Sequence, residues 1–258
     1  MPSRPVVLVT GAAKRLGRAI ALELGAHGWD VAVHHRRSPA EAEEVVTALE
    51  SLGARAASFV ADLADETACA ALVPAVVERL ERIDAVVNNA STFEHDDVAT
   101  FSYALMDRHW RANAAPAIVL ARALHAHLAG STKTGCVVNL LDQKLWNPNP
   151  DHLSYTLSKA ALQAATVVLA QALAPQVRVC GVAPGVTLPS GPMSDTEFAA
   201  AHRLTPLARS STPADVAGAV RYLLSAPAVT GTTLLVDGGQ HLSAQPRDVY
   251  FLANSETT

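Results

Sequence analysis

A chain of 258 residues lies between one large domain and two small ones at about 150 residues per domain. Half of it is hydrophobic and 17% is charged, which excludes a disordered or fibrous chain. Lys+Arg 20 against Asp+Glu 24 leaves a net charge of −4, so nothing global recruits nucleic acid or an anionic membrane, and any bound anion needs a local basic cluster.

Short apolar runs alternate with longer segments of helical period along the whole chain. Met1-Pro2-Ser3-Arg4 leads directly into the first run, Val6–Val9, with no signal-peptide pattern. A helix-period segment follows over 15–27, then runs at 31–34, Ala56–Val60 and Ala85–Asn88, separated by helical segments at 40–52 and Glu66–Leu80. An alanine-rich helical stretch covers about 103–128, and a run at 136–141 precedes a helix over 154–173. Runs at 177–182 and Thr233–Val236 flank a helix at 213–224. Strands that read as continuous apolar runs, each followed by a helix, predict an α/β fold. Its core is a doubly wound parallel sheet of about seven strands with helices on both faces. No linker, repeat or charge run divides it, so one domain is expected over 1–258. The irregular stretch from Gly185 to about Ser194, with Pro189 and Pro192, follows a strand's carboxyl end and reads as a lid or binding loop.

The three cysteines, Cys69, Cys136 and Cys180, show no C-x-x-C spacing and read as buried free thiols in a reducing compartment. No histidine pairs with a carboxylate or cysteine at ligand spacing, so no metal is expected. No apolar run approaches the roughly 18 residues of a membrane span, and a cytoplasmic location is the expectation.

The first strand ends in Thr10-Gly11-Ala12-Ala13-Lys14-Arg15-Leu16-Gly17. Glycines at a strand-to-helix turn let backbone approach a pyrophosphate, which the helix N-terminus then attracts. This is neither G-x-G-x-x-G nor a P-loop, and Lys14, Arg15 and Arg18 strengthen an otherwise weak signal. The second strand ends in His34-His35-Arg36-Arg37-Ser38. An acidic residue there would bind a ribose 2′-hydroxyl, whereas arginine accommodates a 2′-phosphate and signals NADP; a solvated basic strand end is the alternative. Asp62 and Leu63 after the third strand fit an adenine-edge contact, and Asn89, Ala90 and Ser91 after the fourth fit the central ribose. Tyr155 and Lys159, at i and i+4, share one helix face. A tyrosine of ordinary pKa about 10 gives up its proton reluctantly, and a neighbouring ammonium eases the transfer.

With Pro184-Gly185 and Asp237-Gly238-Gly239, these motifs stand in the order and spacing of the short-chain dehydrogenase/reductase family, which the chain resembles over nearly its whole length. The resemblance implies a Rossmann-type fold, bound NADPH, Tyr155 as proton donor, and Lys159 holding the nicotinamide ribose while lowering the tyrosine's pKa. It implies that Asn113 supports a proton-relay water and that Pro184, Gly185 and Val186 flank the nicotinamide. A homo-tetramer built through the helices carrying Asn113 and Tyr155 is also implied. Where the family usually carries a serine that bonds the substrate carbonyl, this chain has Asp142. A carboxylate there would repel the alkoxide formed from a ketone, but would serve a ring nitrogen that needs a proton, provided desolvation raises its pKa.

This departure is similar to the pteridine reductases and bacterial dihydromonapterin reductases. So are the arginine in place of the turn's middle glycine, the basic strand end and Asn89-Ala90-Ser91-Thr92-Phe93. That resemblance implies a pterin substrate under Phe93, with Ser91, Arg15, Asp142 and Tyr155 as contacts, although Phe93 also reads as plain core. Another NADPH-dependent carbonyl or imine reductase is the alternative, and a catalytically silent NADPH sensor is the alternative of a different class.

Overall fold

The computed structural model describes residues 4–189, 194–249 and 251–252. Its sheet is formed by β1 (Val6–Val9), β2 (Asp30–His35), β3 (Ala56–Val60), β4 (Ala85–Asn88), β5 (Gly135–Leu140), β6 (Val177–Pro184) and β7 (Thr233–Val236). All pairings are parallel, in the order β3-β2-β1-β4-β5-β6-β7. Strand order reverses between β1 and β4, and a crevice opens at such a reversal, outside the strands' carboxyl ends.

Side-chain alternation explains why the runs are continuously apolar. Val7, Val9, Val31 and Val33 point into one core layer, against α1 (Arg15–Ala26), α2 (Pro39–Ser51) and α8 (Pro213–Ser225). Val6, Leu8, Ala32 and Val86 point the other way, against α3 (Glu66–Leu80) and α5 (Ala115–Leu128). With helices on both faces, both sides of a strand are predominantly apolar. Cys69, Cys136 and Cys180 are free and buried in these layers, as their spacing implies.

The strand and helix bounds match those read from the sequence to within about two residues, with two differences. The alanine-rich stretch is not one helix: α4 (Tyr103–His109) passes through a π-helical segment, Trp110–Ala114, into α5. Pro116 has no N–H, so the α-helical bond to the carbonyl four residues back is lost and the wider turn is accommodated there. A further helix, α7 (Asp195–Arg203), follows the loop after β6, opened by a capping box between Ser194 and Glu197. Its S-x-x-E signature stands in the sequence without the apolar periodicity that usually accompanies it. Of the expected 185–194 loop, residues 190–193 lie outside the described residues. α6 (Leu153–Ala172) completes the helices that frame the site.

Candidate active site

The crevice at the β1/β4 reversal has a volume of about 360 Å³. It gathers Gly11, Lys14, Arg15, Leu16, Gly17, His34, Arg36, Asp62, Leu63, Asn89, Ala90 and Ser91, twelve of the residues that sequence reasoning assigned to a dinucleotide, together with Ala61, Ala64, Thr92 and Ala112. Arg37 and Ser38 continue from the end of β2 outside this lining, Arg37 exposed and Ser38 half-buried as the N-cap of α2.

The turn's shape follows from its residues. Gly11 sits at φ +63, and a Cβ on Gly17 would stand 2.2 Å from the Gly11 carbonyl oxygen. Only a bare backbone fits, which leaves the space above the turn open for a pyrophosphate. Replacing Gly17 with alanine is expected to destabilise the protein by about 1–3 kcal/mol and to abolish the rise in Tm on adding NADPH; thermal denaturation with and without the nucleotide measures both. Arg15 takes φ +53, a left-handed conformation in a non-glycine residue whose cost of roughly 1–2 kcal/mol marks a functional turn. Its guanidinium donates to the Pro189 carbonyl at 2.8 Å, spanning from the turn to the loop after β6. Lys14 pairs with Glu41 at 2.6 Å. Thr10 Oγ1 accepts from the amides of Asn89 and Ala90 at 2.9 and 3.0 Å, which locks β1 to the ribose-side loop.

His34 is a built part of the cleft wall. Its Nδ1 accepts the Gly11 amide at 3.0 Å and its Nε2 lies 3.2 Å from the Ala61 carbonyl, so the ring is neutral with its proton on Nε2. Burial lowers its pKa to about 4. The end of β2 therefore presents a neutral imidazole and exposed arginines, with no carboxylate to repel a phosphate. A dinucleotide with a 2′-phosphate fits this donor set.

The chemical centre lies at the carboxyl ends of β5 and β6. The Tyr155 hydroxyl donates to Asp142 Oδ2 at 2.8 Å, and Asp142 Oδ1 accepts the Lys144 amide at 2.8 Å. Burial raises the Asp142 pKa, opposed by these hydrogen bonds and by Lys159. Tyr155 differs from expectation: its pKa is raised well above that of a free tyrosine, first by burial and then by the Asp142 carboxylate. Lys159 cannot offset this, because its ammonium donates to the Leu140 carbonyl at 2.8 Å and stands 5.7 Å from the Tyr155 ring centroid. Burial brings the lysine itself down to about 8. The arrangement is a protonated phenol held against a carboxyl of raised proton affinity.

Asn113, in the π-helical segment, is buried with its amide fully used. Oδ1 accepts from Thr92 N at 2.7 Å and Ser91 Oγ at 3.2 Å, while Nδ2 donates to Thr92 O at 3.0 Å and Ser158 Oγ at 2.9 Å. With these four bonds made, the side chain clamps the 91–92 loop to α6. Phe93 is not plain core: 46% of it is exposed. Its ring meets Tyr155 edge-on at 4.7 Å and stacks on His152 at 4.1 Å. Pro184, Gly185 and Val186 leave β6 beside the glycine turn at 237–239, with Val186 N donating to Gln240 Oε1 at 3.2 Å. Glycine suits position 185, because a Cβ would stand 2.5 Å from Ser210 Oγ and 2.9 Å from the Asp237 backbone Cα.

Sequence reasoning missed Asp96. This buried carboxylate accepts the Ser154 amide at 2.9 Å and so caps α6 from the 91–97 loop, next to Tyr155. The local N-cap, His152, has φ +54 and makes no side-chain cap, which is the signal that the cap comes from elsewhere. No group of three or more histidine, cysteine or acidic residues forms a metal site among the described residues, and none of their helices is long and apolar enough to cross a membrane.

Residues 11–241 match the family model described as enoyl-(acyl carrier protein) reductase. The crystal structure of FolM alternative dihydrofolate reductase 1 from Brucella suis in complex with NADP superposes with a TM-score of 0.89 at 40% identity, over 94% of this chain and 97% of that one. Pteridine reductase 1 of Leishmania tarentolae is 31% identical, over 94% of this chain and 98% of its own length. The 3beta-hydroxysteroid dehydrogenase 1 of Eggerthella lenta is 33% identical, over 92% and 93%. The matches run nearly the full length of the chain, and the chain belongs to the short-chain dehydrogenase/reductase family of NAD(P)-dependent oxidoreductases.

Proposed function

We propose that the chain is an NADPH-dependent reductase of dihydropterins, adding hydride to the carbon of a polarised C=N bond and a proton to the adjacent nitrogen. The observation that carries the reading is the 2.8 Å bond from the Tyr155 hydroxyl to Asp142. Beside a ketone oxygen the carboxylate would oppose developing negative charge. Beside a ring nitrogen that must gain a proton, a carboxyl of raised pKa is a proton store. Brucella suis FolM and Leishmania tarentolae pteridine reductase, whose names place them in pterin and folate chemistry, support the substrate class.

NADPH, when bound, supplies the hydride. Gly11 and Gly17 leave room for its pyrophosphate, Arg36, Arg37 and Ser38 hold the 2′-phosphate, Asp62 and Leu63 border the adenine, and Lys159 with Asn89, Ala90 and Ser91 holds the ribose. Pro184, Gly185 and Val186 border the nicotinamide. Phe93 offers a half-exposed ring for a flat heterocycle, with Arg15 and Ser91 as polar contacts. Tyr155 releases its proton to the substrate nitrogen, and Asp142 returns one to the phenolate before that charge persists in a buried site. Arranged so, the chain is one reductase domain, cytoplasmic, that assembles as a homo-tetramer through the helices carrying Asn113 and Tyr155, where α4 exposes Tyr103, the π-helical segment Trp110, and α6 Leu157 and Val168.

The test is the loss of NADPH absorbance with dihydromonapterin, dihydrobiopterin and dihydrofolate against a panel of ketones. A kcat/KM for at least one dihydropterin about a hundredfold above every ketone, equivalent to about 2.7 kcal/mol, is expected. Ketone turnover with silent pterins overturns the substrate while leaving the nucleotide site intact.

A further inference from the structure

The loop 143–152 between β5 and α6 carries two buried charges, and both are answered from the chain's far end. Lys144 is 3% exposed. Its ammonium donates to the Asp151 carbonyl at 2.6 Å and pairs with Asp248 at 3.4 Å. Asp151, also 3% exposed, takes Arg247 through Nε at 2.8 Å and Nη2 at 2.7 Å, and accepts the Asp248 amide at 2.8 Å. Buried Asn147 accepts the Gln245 amide at 3.0 Å. A buried charge left unpaired is strongly unfavourable, so loop and C-terminal arm hold their shapes only together.

The arm also reaches the other walls of the pocket. Phe251 meets His95 at 5.6 Å, His95 meets His152 at 5.0 Å, and His152 stacks on Phe93. Gln240 Oε1 accepts the Val186 amide, while its Nε2 donates to Gln245 Oε1 at 3.3 Å. Lys144 is the pivot: its backbone amide holds Asp142 and its side chain holds the arm. The residues lining the crevice at the β1/β4 reversal, by contrast, all lie between Gly11 and Ala112.

We propose that the C-terminal arm, through Arg247 and Asp248, is the positioning element of the substrate pocket, bracing the Asp142 loop and the Phe93–His152 stack apart from the crevice at the β1/β4 reversal. Substrate specificity is then set in part by residues about one hundred positions from the loop they hold. The kinetic part of this inference rests on the dihydropterin reading; its structural part does not.

The test compares the full-length wild type with Arg247→Gln, Asp248→Asn, the double variant and Arg247→Lys. The Arg247 side chain is 48% exposed, so its replacement leaves the core intact. Amide hydrogen exchange is followed in the substrate-free protein. Exchange at 144–152 is expected to rise about tenfold in the double variant, equivalent to about 1.4 kcal/mol of local opening, with β1 and β4 unchanged and most of the protection restored in Arg247→Lys. The NADPH Kd should stay within about twofold while KM for the dihydropterin rises about tenfold at nearly constant kcat. Unchanged exchange at 144–152, or an equal loss of NADPH affinity, overturns the proposal. Loosened exchange in a protein whose wild type reduces no pterin supports the bracing role and sinks the substrate reading alone.

Discussion

Tyr155→Phe is expected to lower kcat for dihydropterin reduction by about 10²–10⁴-fold, the range for a lost general acid. The substitution removes one oxygen and keeps the ring, so the edge-on contact with Phe93 and the packing of α6 survive. The crevice at the β1/β4 reversal includes neither Tyr155 nor Asp142, and NADPH affinity should hold within a few-fold. Steady-state kinetics alongside fluorescence titration of NADPH separates the two effects. Equal loss of binding and turnover would mean that Tyr155 supports the site's structure and not proton transfer.

The second large effect belongs to Asp142→Asn, which keeps shape but cannot supply a proton. A fall in kcat of about a hundredfold is expected, at the low end of general-acid contributions because Tyr155 remains. The sign of the pH dependence follows from the direction of the shift. Burial raises the Asp142 pKa in the folded state, so the protonated form persists to higher pH than in an unfolded chain. Activity that needs this acid is lost as pH rises through the raised folded value, and the asparagine variant loses that limb of its profile. Folding binds a proton at this site between the unfolded and folded pKa values. Wild-type stability therefore declines across that window as pH rises, and Asp142→Asn removes the decline. Thermal denaturation from acid to neutral pH, run on both proteins, measures it.

Much of the architecture was legible because it is local. Val6–Val9, Ala56–Val60, Ala85–Asn88 and Thr233–Val236 are strands with the bounds their apolar runs imply, since helices cover both faces of the sheet and favour apolar residues on each side. The glycine turn was legible because few residues other than glycine suit φ +63 at Gly11 or the contact at Gly17. The π-helical segment at Trp110–Ala114 was not, because helical periodicity carries through it and only Pro116 hints at a break.

The site divides the same way. Residue types and spacing paired Tyr155 with Lys159, and the family resemblance singled out Asp142, but the balance of their pKa shifts depends on burial, which one-dimensional spacing does not contain. A lysine four residues from a tyrosine is expected to favour the phenolate; here its ammonium serves the Leu140 carbonyl, and burial, then Asp142, holds the tyrosine protonated instead. Asp96 capping α6, and Arg247 and Asp248 answering Asp151 and Lys144, are pairings across long stretches of chain between residues with no motif of their own.

The most direct test of dihydropterin reduction by hydride addition at C=N uses NADPH deuterated at the transferring carbon. After turnover of a dihydropterin in ordinary water, the product should carry one deuterium on the former imine carbon and none on nitrogen, located by proton NMR, and Tyr155→Phe should slow its appearance. A tetrahydropterin without deuterium, or label appearing only in the alcohol product of an added ketone, would contradict the account.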